Sequence, residues 1–323
     1  MPKILHITNA YPTKRYPIYG IFIKEQIDSL GSPDLKHVWF INGREKGKWA
    51  YLWALVTFPF KIKQYDMIHC HHIYIAMIAV FMAPFKPKIV SFLSDEHNLY
   101  NKGLKKWIYD RIVRKFNGII FKKEIPAPLL HSDKVLYLPN GVNMDFFNSM
   151  PKDVACDYLN LDKTKRYIVF VSGYDLYRPE KQFIVLKKAY DILVREPEFK
   201  DLEILTVVSR PRHEIPYCFN ASEVHVLISL YEGSPNSVKE AMACNIPVIA
   251  TPAGNIPFML ADAEGGYIIH HLTVDNLVNT LKTVLNQTHK PDLRRVLCEK
   301  GLDMQSVARK LESYYDKILL TTI

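Results

Sequence analysis

Two glutamates eight positions apart, Glu232 and Glu240, flank a Gly-Ser-Pro-Asn turn in the stretch LYEGSPNSVKEAMACNIPVIATPAGN, residues 230–255. Paired carboxylates serve as general acids and bases, and a carboxylate also accepts hydrogen bonds from pairs of hydroxyl groups. The spacing therefore indicates either an acid/base pair or two groups that bind the hydroxyls of a ligand. The residues between the glutamates favour the second interpretation.

The turn between the glutamates has the composition of a helix start. Ser234 is the expected N-cap, followed by Pro235 at the first helical position and by Asn236 and Ser237 in the first turn. Free N–H groups and the helix dipole make such a start an anion site suited to a diphosphate. Glu240 is then about 7.5 Å along the helix axis, at 1.5 Å per residue. This layout predicts a ligand with sugars on both sides of its phosphates.

Two cations follow the first strand of the second half of the chain. The segment SGYDLYRPEK, residues 172–181, contains Arg178 and Lys181. Guanidinium and ammonium groups suit a leaving diphosphate, and a solvated loop charge is the alternative interpretation of each.

These residues require a scaffold of strands and helices, and the chain has that pattern in both halves. Short runs rich in β-branched and aromatic residues alternate with stretches long enough for helices, which predicts parallel pairing and doubly wound α/β sheets. In the first half the predicted strands are 3–8, 37–42, 67–72, 88–93, 118–123 and 134–139. In the second half they are 167–173, 202–209, 224–229, 246–251 and 265–270.

The repeated pattern predicts two lobes that meet near residue 150. We expect an N-terminal lobe over residues 1–150, a C-terminal ligand-binding lobe over 151–305 and a C-terminal helix, 306–323, that packs back toward the first lobe. Because the carboxyl ends of parallel strands form ligand sites, the default ligand site is a cleft between the lobes.

The basic residues are unevenly distributed along the chain. Residues 1–150 contain 21 Lys and Arg against 11 Asp and Glu, whereas residues 151–323 contain 21 against 22. Such a division indicates that one lobe faces an anionic partner, and a solvated basic surface is the alternative. No RNA-binding motif accompanies the charge, so nucleic acid is not expected as a partner.

Two basic segments also carry apolar residues at helical spacing. These are REKGKWAYLWALVTFPFKIK, residues 44–63, and NKGLKKWIYDRIVRKF, residues 101–116. They predict either peripheral contact with an anionic membrane or ordinary surface helices packed on the core. The longest apolar run, residues 73–85, has 13 residues and is too short to span a bilayer.

The cysteines and the N-terminus favour the cytoplasm. The five cysteines are widely spaced without a Cys-x-x-Cys pair, and MPKILHITNAYP enters a strand pattern directly, without a secretory signal. His69, His71 and His72 resemble metal ligands only superficially, because no carboxylate-rich segment and no Asp-x-Asp accompanies them. We therefore expect neither a metal nor another cofactor.

The string EGSPNSVKEAMACNIPVIAT closely resembles the Glu-x7-Glu signature of the family 4 retaining glycosyltransferases. NAYPTKRYPIYGIFIKEQIDSL resembles the glycine loop and first helix of that family, and LPNGVNMDFF resembles its interlobe connection. The resemblance thus extends over nearly the whole chain, and the nearest subgroup resembles the teichuronic acid and capsular polysaccharide transferases. It implies the GT-B fold, with two Rossmann-like doubly wound parallel-sheet lobes and an interlobe cleft.

The resemblance also implies roles for individual residues. Glu240 would bind the ribose hydroxyls of a nucleotide sugar, and Glu232 would contact the transferred sugar, with Lys181 and Arg178 on the leaving diphosphate. Gly20 would let the opposite lobe approach the phosphates, unless it is a plain turn glycine. The backbone that would hold the sugar and the distal phosphate is that of Gly233, Ser234, Pro235, Asn236 and Ser237.

The chain departs from the family pattern at three positions. Tyr174 stands where an Arg is usual, and Gln182 stands where a Gly is usual. In SFLSDEHNLY, residues 91–100, Phe92 occupies the place of an expected His, so that Asp95 or His97 is the acceptor-side candidate. Asp95 as a helix cap is the alternative.

We therefore expect a hexosyltransferase that moves a sugar from a UDP- or GDP-sugar to a glycan or polyprenyl-linked acceptor in surface polysaccharide synthesis, with retained configuration and without a metal. The expected location is the cytoplasm, at the inner face of the cytoplasmic membrane. A nucleotide-sugar epimerase of the same fold and a noncatalytic sugar-nucleotide-binding partner are the alternatives. The base, the sugar and the acceptor do not follow from the sequence, although residues 208–212 and Ile215 lie where the base would be selected.

Overall fold

The computed structural model describes residues 2–93, 102–289 and 291–322 and divides into two compact units. Unit 1 is Met1–Asn140 with Met304–Ile323, and unit 2 is Gly141–Asp303. The first division falls ten residues before position 150, because Val142 and Phe147 are buried in the core of unit 2.

Among the described residues, unit 1 contains a six-stranded sheet of order β2-β1-β3-β4-β5-β6, with neighbouring strands parallel. Its strands are β1 Ile4–Thr8, β2 His37–Phe40, β3 Met67–His71, β4 Lys88–Phe92, β5 Gly118–Phe121 and β6 Val135–Tyr137. Its helices before the first division are α1 Ile21–Asp28, α2 Gly43–Lys46, α3 Lys48–Lys61, α4 Ile73–Met82 and α5 Gly103–Lys115.

The described part of unit 2 contains a five-stranded parallel sheet of order β11-β10-β9-β7-β8. The strands are β7 Arg166–Gly173, β8 Leu202–Val208, β9 Val224–Leu227, β10 Val248–Ala250 and β11 Gly266–Ile268. The helices are α6 Lys152–Leu159, α7 Phe183–Leu193, α8 Ile215–Asn220, α9 Asn236–Ala243, α10 Ile256–Leu260, α11 Val274–Leu285 and α12 Leu293–Glu299.

The last helix, α13 (Met304–Leu320), belongs to unit 1. The hydroxyl of Tyr314 donates to the Lys134 carbonyl at 2.6 Å and accepts from the Ile119 amide at 2.9 Å. Burial raises the pKa of Tyr314, so this hydroxyl stays protonated and able to donate.

Alternating side chains explain why helices cover both faces of each sheet. In β1, Leu5 and Ile7 lie in one buried cluster while Ile4 lies in another, and in β7 Val169 and Phe170 likewise enter different clusters. Because successive side chains of a strand point to opposite faces, both faces are apolar and each must be covered. The predicted doubly wound α/β architecture is confirmed.

Every predicted strand has a counterpart in the structure, but several short helices were not predicted. These are α2, α6, α8, α10 and α12, none longer than eight residues. Over so few residues the 3.6-residue period does not repeat often enough to be distinguished from a loop. Within the described residues, no helix is both long and apolar enough to cross a bilayer.

Candidate functional site

The predicted site residues of unit 2 lie where its parallel strands end. The loops that follow β7, β8 and β10, and strand β9 itself, each place a side chain in contact with residues 232–240, around the start of α9. This is the carboxyl edge of the sheet, which is where open α/β sheets bind ligands.

Lys181 and Glu232 are brought together from two different loops. Lys181 ends a short 3₁₀ helix, Pro179–Lys181, after β7, and its Nζ donates to Glu232 Oε1 at 2.6 Å. Both side chains are mostly buried. An ammonium group has three N–H donors, so the bond to Glu232 uses one of them. The pair positions a cation beside the carboxylate.

Arg178 is not drawn into this pair. Its Nε donates to Glu180 Oε1 at 2.8 Å within the same loop, and its side chain is exposed. Hydrogen bonds from the backbone and from Arg178 lower the pKa of Glu180 below its ordinary value. Of the two predicted cations, Lys181 thus contacts Glu232, whereas Arg178 contacts Glu180 of its own loop.

Glu240 is buried and forms a separate ion pair with Arg212. Arg212 Nη1 donates to Glu240 Oε1 at 2.7 Å, and only 5% of Glu240 is exposed. Arg212 begins the 3₁₀ helix Arg212–Glu214 after β8, and its guanidinium carbon lies 4.7 Å from the centre of the Phe147 ring. A charge-assisted hydrogen bond in such surroundings holds the carboxylate in one position. Arg212 thereby holds the Glu240 carboxylate ready to accept hydrogen bonds from hydroxyl groups of a ligand.

The helix between the two glutamates begins one residue later than predicted. Its N-cap is Pro235 in extended conformation, and α9 starts at Asn236, so the expectation of a Ser234 cap was wrong. Ser234 is held instead by Lys239, whose Nζ donates to Ser234 Oγ at 2.7 Å, and by Asn255, whose Nδ2 donates at 3.2 Å. Lys239 is fully buried. Because its ammonium group is bonded to Ser234, its charge lies beside the positive end of the helix. The helix start and this lysine together favour an anion.

Ser237, in the first turn of α9, contacts a buried histidine. His225 Nδ1 lies 3.1 Å from the Val169 carbonyl, and His225 Nε2 lies 3.1 Å from Ser237 Oγ. Burial lowers the pKa of His225 to about 4, so the ring is neutral at pH 7. Since Nδ1 must donate to the carbonyl, Nε2 accepts from the serine hydroxyl.

The loop of Glu232 and Gly233 packs directly on Gly254. Gly254 has a φ of +63°, and a Cβ at this position would lie 2.3 Å from the Gly233 carbonyl oxygen. The backbone N–H of Asn255 donates to the same oxygen at 3.0 Å. Only glycine fits here, because it tolerates both the left-handed backbone and the close approach.

Gln182 stands where the family usually has a glycine, and its backbone adopts the left-handed conformation that glycine favours. Its φ is +55°, and its Nε2 donates to the Ile228 carbonyl at 2.7 Å. The left-handed region costs an ordinary residue about 1–2 kcal/mol, and the hydrogen bond offsets part of that strain. The hydrogen bond therefore helps Gln182 to hold the left-handed backbone at this position. Tyr174, the other departure in this loop, is exposed.

The candidate residues of unit 1 are described on their own. Gly20 is buried with a φ of +68°, and a Cβ there would lie 2.3 Å from the Ala10 carbonyl oxygen, which by itself accounts for a glycine. Phe92 packs in the core, with its ring centre 5.4 Å from that of Tyr109 and 5.3 Å from that of Phe121. Asp95 and His97 lie outside the described residues.

The three histidines predicted together at β3 have two different surroundings. His72 accepts from the backbone amide of Tyr74 at 3.3 Å at the start of α4. His69 and His71 instead join His6 of β1 in a fully buried group, in which one nitrogen of each ring lies within 4.8 Å of the others. His6 Nδ1 is 2.9 Å from His71 Nε2, and His69 contacts Tyr315 and Ser91. Burial lowers the pKa of all three buried rings, that of His6 to about 4. Sequence reasoning did not include His6, because it is distant in sequence.

Four residues in or beside the site were not singled out from the sequence as ligand-positioning groups. Arg212 was considered only for selection of the base, and His225, Lys239 and Asn255 were not considered. Asn255 follows β10, and the rule that ligands bind beyond the carboxyl ends of strands was the available signal for it. Nothing in the sequence indicates that the Lys239 side chain is buried and bonded to Ser234, since a lysine in a helix is ordinarily solvated.

Comparison with known proteins finds a family model that matches the part of unit 2 containing most of the site. Residues 201–304 match the family model described as glycosyl transferases group 1, a stretch that includes both glutamates, Arg212 and Lys239.

Two curated relatives each match a part of the chain. The Vi polysaccharide biosynthesis protein VipC/TviE of Salmonella typhi is 28% identical over 114 residues, which is 34% of this chain and 20% of that protein. The UDP-Gal:alpha-D-GlcNAc-diphosphoundecaprenol alpha-1,3-galactosyltransferase of Escherichia coli is 32% identical over 73 residues, 23% of this chain and 19% of that protein. The chain thus matches about a fifth of the length of each relative.

A solved structure resembles the whole chain. Anabaena Alr3699/HepE, in complex with UDP and glucose, has a TM-score of 0.71 at 14% identity and covers 98% of this chain and 100% of its own. The likeness shows the fold, which is GT-B.

Proposed function

We propose that this chain, whose residues 201–304 belong to the glycosyl transferases group 1 family, transfers a sugar from a nucleotide-sugar donor to a glycan or lipid-linked glycan acceptor in surface polysaccharide synthesis. One observation carries the proposal. Two ion pairs, Lys181–Glu232 and Arg212–Glu240, flank the start of α9 at the carboxyl edge of the unit 2 sheet.

The geometry suits a nucleoside diphosphate sugar. The N–H groups at the start of α9 and the charge of Lys239 favour phosphate, and the carboxylates of Glu232 and Glu240 suit hydroxyl groups on either side of it. In this proposal Glu240 binds the ribose and Glu232 the transferred sugar. Gly20, Gly233 and residues 234–237 complete the donor site, as the family resemblance implies.

The proposed reaction retains the anomeric configuration. The bond between the anomeric carbon and the diphosphate oxygen breaks as the acceptor hydroxyl attacks on the same face, and the hydroxyl proton passes to the leaving diphosphate. Charge therefore develops on the leaving group, where the helix start and Lys181 stabilise it electrostatically. Arg178 is proposed as an auxiliary cation, and Asp95 or His97 as the acceptor-side group.

The donor is proposed to be a UDP- or GDP-sugar, and the acceptor a glycan or a polyprenyl-linked glycan. The similarity to a protein named for a diphosphoundecaprenol acceptor and to a structure containing UDP and glucose supports this choice. We further propose that the reaction needs no metal or other cofactor, because Lys181 and the helix start supply positive charge to the leaving group. The proposed location is the cytoplasm, at the inner face of the membrane.

A donor panel tests the proposal. The chain is incubated with UDP-, GDP- and ADP-sugars, with and without EDTA, while thermal stability and nucleotide release are measured. Stabilisation by one donor, slow EDTA-resistant hydrolysis and faster release with membrane extract as acceptor are expected. Conversion to an isomeric nucleotide sugar would instead identify an epimerase, and binding without turnover would identify a noncatalytic partner. Loss of turnover in EDTA would refute the metal-independent part.

A further inference from the structure

Three neighbouring helices of unit 1 cover one face of its sheet. Side chains of α3, α4 and α5 enter the same buried cluster, which includes Phe58, Ala76 and Ile112, and α4 contacts both α3 and α5. The outer surfaces of the three helices therefore form one continuous side of unit 1.

The outer surface of α3 is apolar instead of polar. Trp49 is 77% exposed, Trp53 70% and Phe60 72%, and Leu52 and Val56 are exposed beside them. At about 100° per residue these positions fall on one stripe of the helix, opposite the buried Ala54 and Phe58. A surface helix normally has the reverse arrangement, with charged residues on the side away from the core. Among the described residues, most of the surface of this stripe is left uncovered.

The neighbouring helices extend the stripe. Phe81 at the end of α4 and Trp107 of α5 are exposed, and Phe85, just after α4, is 97% exposed. The guanidinium carbon of Arg111 lies 5.4 Å from the ring centres of both Phe81 and Trp107, which joins the two helices at the surface. We call this surface the aromatic face; it consists of Trp49, Trp53, Phe60, Phe81, Phe85 and Trp107.

The charges around the aromatic face have one sign. Residues 46–65 contain four lysines and no acidic residue, and residues 102–115 contain six Lys and Arg against one Asp. That aspartate, Asp110, is paired with Lys106 on the same helix. The aromatic face therefore lies on strongly basic segments of the chain, and Arg111 lies between two of its rings.

We propose that the aromatic face docks unit 1 on an anionic lipid bilayer. Isolated exposed apolar residues are normal, but a contiguous exposed patch marks an interaction surface. Tryptophan and phenylalanine insert at the headgroup level of a bilayer, and nearby lysines and arginines are attracted to anionic lipid. A second copy of this chain fits less well, because two cationic faces repel each other. The inference is independent of the proposed transferase activity.

Vesicle binding tests the proposal directly. The full chain is centrifuged with vesicles of phosphatidylcholine alone or of equal parts phosphatidylcholine and phosphatidylglycerol, while tryptophan emission is recorded. Three of the four tryptophans, Trp49, Trp53 and Trp107, lie on the aromatic face, whereas Trp39 lies in β2. Binding to the anionic vesicles with a blue shift, retained in a Trp39→Phe variant and weakened by salt, is expected.

Matched variants distinguish the aromatic and the charged contributions. The triple variant Trp49→Ala, Trp53→Ala, Phe60→Ala is expected to lose vesicle binding while keeping its thermal stability, because these side chains are exposed. Its control is Leu320→Ala, which removes another exposed apolar residue, on α13.

The charged variant is Lys105→Gln with Lys106→Gln, which should weaken binding about 30-fold. Its control is Lys187→Gln with Lys188→Gln on α7, where Lys187 pairs with Asp191 four residues on, as Lys106 pairs with Asp110. The control pair should leave binding unchanged.

The proposal is overturned if the wild-type chain does not bind anionic vesicles or binds both vesicle types equally. It is overturned as well if the triple variant binds the anionic vesicles as tightly as the wild type does. It is also overturned if light scattering without lipid shows a dimer that the triple variant abolishes, since the face would then be covered by a second copy.

Discussion

Arg212 Nη1 donates a 2.7 Å hydrogen bond to Glu240 Oε1, joining the loop after β8 to the middle of α9. The sequence places these residues 28 positions apart, and the carboxylate is nearly inaccessible to solvent. An ion pair of this kind fixes a carboxylate for binding more than it stabilises the fold, since desolvation offsets much of the attraction.

Replacement of Glu240 by Gln should weaken nucleotide binding while the fold persists. Gln keeps the shape of the side chain but removes the charge that accepts from Arg212 and, in our proposal, from the ribose hydroxyls. We expect the affinity for the preferred nucleotide to fall at least about tenfold, which corresponds to one charge-assisted hydrogen bond. Titration calorimetry measures it. Glu203→Gln, which alters a more exposed ion pair with Lys165, is the control. Equal affinity in Glu240→Gln would refute the ribose assignment.

Lys181 and Arg178 should differ in their effect on turnover. Removal of one positioned donor to a developing charge costs about 100-fold or more in kcat. We therefore expect Lys181→Met to lower kcat by that order with a smaller change in KM, and Arg178→Met to lower it less, because its guanidinium is exposed and engaged with Glu180. Steady-state kinetics with the identified donor measure both. Lys181→Arg should recover part of the activity, and similar losses in both Met variants would contradict the distinction.

Two glycines with positive φ should respond differently to alanine. Gly173 has a φ of +70° with open space around it, so Gly173→Ala should lower the free energy of unfolding by about 1–2 kcal/mol, the cost of the left-handed backbone. Gly254→Ala should cost more, because its Cβ also meets the Gly233 carbonyl at 2.3 Å and displaces the Glu232 loop. Urea unfolding and nucleotide binding measure the two effects. Intact nucleotide binding in Gly254→Ala would show that this packing does not position the site.

Unit 2 should lose stability in mild acid through His225. The pKa of His225 is lowered to about 4 in the folded chain by burial, whereas an unfolded histidine titrates near its ordinary 6.5. Between these values the unfolded state binds the extra proton, so the stabilisation is complete above pH 6.5 and is lost as the pH falls toward 4. The loss approaches about 3 kcal/mol at the lower end.

Urea unfolding from pH 7 to pH 4.5, followed for wild type and His225→Gln, checks this. His6, His69 and His71 titrate in the same direction and remain in both proteins, so the difference between the two curves isolates His225. The wild type should lose more stability than the variant over this interval. Parallel curves would show that His225 is not the source.

The sequence alone determined the strands and the longer helices, and it supplied Lys181, Glu232 and Glu240 as candidate site residues. Strand runs such as 3–8 and 67–72 are recognisable because β-branched and aromatic residues recur locally, and the doubly wound arrangement follows from their alternation with helices. The glutamates of residues 230–255 are visible for the same reason, since their spacing and the helix start between them are local features.

Only the tertiary structure decided which groups touch. The pairing of Lys181 with Glu232, of Arg212 with Glu240 and of Lys239 with Ser234 depends on how loops from separate strands meet at one edge of a sheet. The aromatic face was likewise ambiguous, because the spacing of apolar residues in α3 fits a buried stripe as well as an exposed one. Packing of Phe58 against the sheet turns Trp49 and Trp53 outward, and a long-range contact of that kind has no local signature.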